Sequence, residues 1–296
     1  MAARAVGFIG LGIMGSRMAA SLRAAGFELT VHNRTQERAD EWAAEHGGRV
    51  AATPREAAEG AEAVITMVVD GEQVQELLLG EDGAAAGAAE GTLFVDMSTI
   101  GPADARRIGA ELSRRGHRFV DAPVTGSAPA AETGTLTIMV GGAEADVTDA
   151  MPLFEAMGEV IVRAGELGQG QAVKVLSNAV SAVNCATLAQ AFVVGRREGL
   201  DLDALVKVME GGSAASKMLD LKARPMLEHD FSPLFKLEHM LKDVQLALQE
   251  ARTAGSGFPL AAHAGELYGA AMGRGLADQD FAAVLEVVEG MTGTRL

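Results

Sequence analysis

A glycine turn near the start of the chain constrains it most. Gly10-Leu11-Gly12-Ile13-Met14-Gly15 follows the apolar run Ala5–Gly10 and opens a segment in which Met18, Ala19 and Leu22 recur at helical spacing. A strand that passes into a helix through G-x-G-x-x-G has the pattern of a dinucleotide cradle. Gly10 permits the tight turn, Gly12 lets backbone approach a pyrophosphate, and Gly15 lets the helix pack closely on the strand. The pyrophosphate would sit at the helix N-terminus, where free N–H groups and the helix dipole favour negative charge. All six residues, Leu11, Ile13 and Met14 included, are expected to border the cofactor. A generic glycine turn is the competing reading, and the strand-to-helix context argues against it.

The alternation continues through residues 1–163. Glu28–His32, Ala63–Val68, Thr92–Asp96 and Arg118–Ala122 read as buried strands, followed by Thr135–Val140 and Val160–Arg163, with amphipathic stretches between. Thr53-Pro54-Arg55-Glu56 is a capping box with proline at the first helical position. This predicts an α/β fold, a doubly wound parallel sheet with helical crossovers. After Gly168 the strand signal stops. Gln171–Val194 reads as one long helix, followed by Asp201–Glu210, Pro233–Thr253, Phe258–Met272 and Phe281–Glu289. The expectation is a Rossmann domain over residues 1–163 and an all-helical domain over 164–296, joined by the long helix. The boundary falls near Ala164–Gly170, where Gly165, Gly168 and Gly170 cluster. A length of 296 residues suits two such domains. The long helix is apolar around most of its girth, so other elements or a second subunit should cover it.

A net charge of −15 repels phosphate backbones and anionic lipid, so no nucleic-acid or membrane partner is expected. Local dipoles and a few cations still admit an anionic cofactor. Cys185 is the only cysteine, which excludes an internal disulfide and a thiolate cluster within one chain. The apolar stretch Ala5–Met14 holds three glycines and one preceding cation, Arg4, a poor match to a signal peptide. No apolar run reaches the ~18 residues of a membrane span. The cytoplasm is the expected compartment. The histidines show no ligand spacing, so no metal is expected.

The second strand ends at His32, followed by Asn33-Arg34-Thr35. An NAD-preferring site places Asp or Glu about 20 residues past the glycine turn, on the ribose 2′-hydroxyl. Here Asn33, Arg34 and Thr35 stand at the adenosine end, and a guanidinium fork suits a 2′-phosphate. NADP(H) is therefore the expected cofactor, with NAD(H) as the alternative; a solvated arginine is the plain explanation. Ligands in a doubly wound sheet sit beyond the carboxyl ends of strands. That places Val68 and Thr99, within Asp96-Met97-Ser98-Thr99-Ile100, beside the cofactor, although a capping turn before Pro102 explains Thr99 equally well. In Asp121-Ala122-Pro123-Val124-Thr125-Gly126-Ser127, the Thr125 and Ser127 hydroxyls and the N–H groups around Gly126 can hold a substrate carboxylate. Gly134 and Gly141-Gly142 read as plain turns.

On the long helix Gln171, Lys174, Asn178, Ser181 and Cys185 fall in one narrow sector, among apolar neighbours. A polar stripe on a buried helix needs polar partners or a ligand, because unpaired burial is costly. An internal network or a subunit contact would satisfy it too, but a buried lysine is rare without a partner. Burial disfavours the charged form and suits Lys174 to acid/base work. It would protonate a carbonyl oxygen as hydride arrives, or accept the hydroxyl proton in reverse, with Asn178 orienting the lysine or the substrate. Lys242-Asp243, taken alone, reads as a solvated pair.

These motifs in this order resemble the β-hydroxyacid dehydrogenase family, which includes 3-hydroxyisobutyrate dehydrogenase, tartronate semialdehyde reductase and the glyoxylate/succinic semialdehyde reductases. The likeness covers nearly the whole chain. It rests on Phe8–Gly15, Asp96–Thr99, Asp121–Gly126, Gly168-Gln169-Gly170 with Lys174 and Asn178, and Lys242-Asp243. It implies a Rossmann domain, a helical domain and a catalytic site in the cleft between them. It implies that Lys174 is catalytic, that Asn178 and Thr125–Ser127 contact substrate, and that Thr99 and Lys242 contact cofactor. Members are commonly homodimers or homotetramers built through the helical domain. The expected activity is interconversion of a small β-hydroxy acid with its semialdehyde or oxo acid. The alternatives are an NAD-dependent 3-hydroxyisobutyrate-type dehydrogenase and a non-catalytic cofactor-binding homologue. Gly126-Ser127 replaces the two glycines typical of 3-hydroxyisobutyrate dehydrogenases and resembles the glyoxylate/succinic semialdehyde branch, but that branch usually carries lysine where this chain has Ala128. A 6-phosphogluconate dehydrogenase would carry a histidine close before the lysine and a much longer helical domain. Imine reductases generally lack the lysine.

Overall fold

The computed structural model describes residues 4–296. The chain divides into two compact units, Met1–Lys174 and Val175–Leu296. In the first run β1 (Ala5–Ile9), α1 (Gly15–Ala24), β2 (Glu28–His32), α2 (Gln36–His46), β3 (Arg49–Val50), α3 (Pro54–Ala58), β4 (Ala63–Thr66), α4 (Gly71–Leu79), α5 (Ala84–Gly87), β5 (Leu93–Asp96), α6 (Pro102–Arg114), β6 (Arg118–Asp121), β7 (Val124–Thr125), α7 (Ser127–Thr133), β8 (Leu136–Gly141), α8 (Glu144–Glu155) and β9 (Gly158–Gly165).

Strands β3, β2, β1, β4, β5 and β6 lie side by side and parallel. The order steps outward from β1 in both directions, so the sheet is doubly wound and its switch point lies between β1 and β4. Strand β8 runs antiparallel to β6 and β7, and β9 parallel to β8. The central strands are apolar on both faces because helices cover both. Phe8, Ile65 and Val95 enter one apolar layer, and Ile9, Val64 and Phe94 the other. Strands β3 and β7 escaped the sequence reading because two residues show no period. Half of the capping box forms: Thr53 Oγ1 accepts from Glu56 N at 3.2 Å, but Glu56 Oε2 accepts from Ala52 N, one residue before the cap, at 2.9 Å.

Helix α9 (Gln169–Arg197) begins in the first unit and supplies the spine of the second, which adds α10 (Leu202–Glu210), α11 (Lys217–Glu228), α12 (Leu237–Thr253), α13 (Pro259–Gly273), a 3₁₀ turn at Phe281–Ala283 and α14 (Val284–Thr292). Two elements differ from those expectations. Helix α11 was not read, because Pro225 and several charged residues interrupt its apolar stripe. The helix expected from Pro233 starts only at Leu237. Asp280 Oδ2 accepts from Leu234 N and Phe235 N, and Lys236 bridges Asp280 as extended chain, which delays the helix. Within this chain α9 is covered along one face, while Val173, Leu176 and Val180 remain 44%, 42% and 52% exposed, as the expectation of cover by a second subunit allows. By length and averaged composition alone α9 could cross a membrane, but polar residues interrupt it and half of its most apolar stretch is buried inside the chain.

Candidate active site

The three glycines of the turn differ in what fixes them. Gly10 has φ +103°, and a Cβ there would stand 2.3 Å from Met67 O and 2.9 Å from Val68 Cγ1. A Cβ on Gly15 would meet Gly10 O at 1.9 Å. A Cβ on Gly12 would meet nothing within 4 Å. Gly10 and Gly15 are therefore required by the protein's own packing. Gly12 borders open space, as a residue that receives a phosphate must. No side chain caps α1, whose N-cap is Met14, and Ile13 is exposed beside it. The turn thus fits a dinucleotide.

Asn33 braces this turn. Its Oδ1 accepts from Leu11 N at 3.0 Å and its Nδ2 donates to Thr35 O at 2.9 Å. Its side chain is thereby committed to holding the end of β2 against the cradle. Arg34 and Thr35 are exposed at the start of α2, which also lacks a side-chain cap. Val68 N donates to Ser98 Oγ at 2.9 Å. Gly10, Val68 and Ser98 thus converge at the carboxyl ends of β1, β4 and β5.

Two buried carboxylates end adjacent strands. Asp96 and Asp121 are register partners of β5 and β6. Asp96 Oδ1 accepts from Thr66 Oγ1 at 2.8 Å and from Ser98 N at 3.2 Å, whereas Oδ2 has no hydrogen-bond partner among the described residues. Burial pushes the Asp96 carboxyl up to about 7. Burial also raises Asp121, to about 6, against the opposing pull of N–H donors from Gly168 and Gln171, each at 2.7 Å. Asp121 therefore caps the start of α9 from a neighbouring strand. A Cβ on Gly141 or Gly170 would come within 2.5 or 2.8 Å of its oxygens. Gly141 is thus no plain turn, and Gly170 is more than a linker residue.

Lys174 follows on α9 and is buried, 7% exposed. Asn178, one turn later, donates from Nδ2 to Asp243 Oδ2 at 2.6 Å. Lys242 Nζ lies 3.0 Å from Asp243 Oδ1, so the fully buried Asp243 serves both neighbours. Lys242-Asp243 is therefore not a solvated pair. The polar stripe divides: Gln171, Lys174 and Asn178 meet polar surroundings, Ser181 donates to Ser177 O, and Cys185 lies in the apolar core with its thiol pushed up to about 12 by burial. Thr125 and Gly126 are exposed, and Ser127 opens α7 with φ +58°, rare for a residue with a side chain. Asp121, Gln171 and Asp243 were absent from the expected site. Their roles depend on partners 47 to 73 residues away, which spacing does not reveal.

A doubly wound sheet with an open glycine turn at its switch point defines a dinucleotide-binding protein. Within that class, the model of the NAD binding domain of 6-phosphogluconate dehydrogenase matches residues 5–165. The model of the NAD-binding domain of NADP-dependent 3-hydroxyisobutyrate dehydrogenase matches residues 168–288. The chain is 35% identical to 2-hydroxy-3-oxopropionate reductase of Escherichia coli K12, over 98% of this chain and 99% of the relative. It is 37% identical to an NAD-dependent L-serine dehydrogenase of Pseudomonas aeruginosa, over 97% and 99%. The structure of Mycobacterium tuberculosis 3-hydroxyisobutyrate dehydrogenase with L-serine superposes with a TM-score of 0.88 at 35% identity, covering 97% of this chain and 99% of that one. The chain belongs to the β-hydroxyacid dehydrogenase family and is an NAD(P)-dependent oxidoreductase.

Proposed function

We propose that this chain is an NADP(H)-preferring enzyme that interconverts a small β-hydroxy acid with its semialdehyde or oxo acid, with Lys174 as general acid and base. The observation that carries the reading is Lys174 itself: an amine buried to 7% exposure, on the turn of α9 that Asp121 and Gln171 fasten to the strand ends. A bound nicotinamide would supply or accept the hydride. Lys174 donates a proton to the carbonyl oxygen during reduction and takes the hydroxyl proton during oxidation. The Nδ2 bond to Asp243 Oδ2 fixes the orientation of the Asn178 amide and leaves Oδ1 to face Lys174 or the substrate. Thr125, Gly126 and Ser127 hold the substrate carboxylate through hydroxyl and backbone N–H donors, and Thr99 and Lys242 contact the cofactor.

The cofactor preference is supported by Arg34, exposed beside Thr35, while Asn33 is engaged with Leu11 and no carboxylate stands at that place. Lys174→Ala should lower kcat by about 10²–10⁴-fold, the usual worth of general acid/base catalysis, while cofactor still binds. Near-normal turnover would reject the mechanism. Kinetics with both cofactors against a panel of semialdehydes and hydroxy acids tests the rest, and a clear preference for NADH would reverse the cofactor assignment.

A further inference from the structure

We propose that Gln171 is a positioning residue, whose side-chain amide sets the register between the Thr99 loop and the turn of α9 that carries Lys174. The inference rests on the reading of Lys174 as the acid and of Thr99 as a cofactor contact. Gln171 Nε2 donates to Ser98 O at 2.7 Å and its Oε1 accepts from Ile100 N at 3.0 Å. These two groups flank Thr99, so one amide holds both sides of that residue as a neighbouring strand would. Gln171 is fully buried, as is Ser98; Thr99 alone in that segment reaches the surface in part. The backbone N of the same residue donates to Asp121 Oδ2 at 2.7 Å. Residue 171 therefore joins the end of β6, the loop after β5 and the first turn of α9. Lys174 lies three residues on, about 4.5 Å along the helix axis.

The chemistry needs such a joint. Hydride must reach a carbonyl carbon while the proton reaches the oxygen bonded to it. Donors carried by two separate segments meet that demand only if the segments keep a fixed offset. Misplacement by about 1 Å costs on the order of 10²-fold in rate. A bidentate buried amide is suited to this task, because neither of its partners can find another hydrogen bond when it slips.

The test uses the full-length enzyme with NADPH and an accepted semialdehyde. Gln171→Met removes donor and acceptor while keeping an unbranched chain of similar length. Turnover is expressed per cofactor site titrated in the same sample, so loss of folded protein cancels. The expected result is a fall in kcat per site of about 10²-fold, with the KM for NADPH within threefold. A kcat per site within threefold of the parent overturns the proposal. Gln171→Glu decides the matter if the methionine variant does not fold. Its carboxyl keeps both hydrogen bonds when protonated and loses the donor when ionised. Its kcat relative to the parent should therefore be high at low pH and fall as pH rises. A ratio independent of pH overturns the proposal. Lys174→Ala is measured alongside. If it retains turnover, the reading of the site fails; if it is inactive while both Gln171 variants behave as the parent, only the positioning role fails.

Discussion

Substituting alanine at two glycines of one motif should separate folding from binding. At Gly15 an added Cβ would lie 1.9 Å from Gly10 O and 3.1 Å from its carbonyl carbon. Both are backbone atoms at the end of β1, so α1 must move by more than an ångström or the turn must open. The cost should reach the upper end of overpacking penalties, about 3 kcal/mol or more. At Gly12 the added Cβ would touch nothing, and its φ lies outside the left-handed region. Folding should then be unchanged, or gain up to about 1 kcal/mol from the stiffer unfolded chain. Cofactor binding should suffer instead, because the methyl group occupies the space a phosphate enters. Losing two N–H bonds to a charged group, at roughly 1.5–3 kcal/mol each, weakens binding about 10²–10⁴-fold. Trp42 gives a direct assay. It is the only tryptophan, and its Nε1 donates to Ser16 O at 2.9 Å in the first turn of α1. Its emission should report both melting of this region and NADPH titration. The reasoning is refuted if Gly12→Ala melts as early as Gly15→Ala, or binds NADPH within threefold of the parent.

Burial raises Asp96 from its ordinary 3.8 to about 7, so its contribution to stability is complete below about pH 4 and is lost as pH rises through 7. That gap, at about 1.4 kcal/mol per pH unit, amounts to roughly 4 kcal/mol. Urea titrations between pH 4 and 8 should therefore show a steeper decline for the parent than for Asp96→Asn, and parallel curves would contradict the assignment. Asp280 gathers Lys222 Nζ at 2.7 Å together with three backbone N–H groups, and Lys222 also lies 4.4 Å from the Phe281 ring centre. Lys222→Met strands that carboxylate and should cost about 3–5 kcal/mol. The effect should appear first in the near-ultraviolet signal of Tyr268, the only tyrosine and part of the second unit, before Trp42 responds; a loss under about 1 kcal/mol would show that the backbone donors suffice.

The glycine turn was legible in the sequence because strand, turn and helix are contiguous, and each glycine answers a local demand. The parallel strands were legible for the same reason: β1, β4 and β5 carry apolar residues toward both faces, such as Phe8 on one and Val64 and Phe94 on the other, and announce themselves without knowledge of their neighbours. Lys174 and Asn178 stood out because polarity on an apolar helix is anomalous at one-turn spacing. What joins these parts was hidden. Asp121 reads as the last residue of a strand until Gly168 and Gln171 are seen donating to it, and only then do Gly141 and Gly170 acquire a reason to lack side chains. Asn33 stands at the cofactor end by its position, but that its amide also ties Leu11 to Thr35 was not visible in the sequence. Asp243 looked like half of a surface pair until Asn178 was found beside it. In each case the side chain's work is set by a partner elsewhere in the chain. Local sequence therefore identifies the groups that stand out chemically, whereas the buried carboxylates and amides that hold them in place emerge only once the strands and helices are assembled.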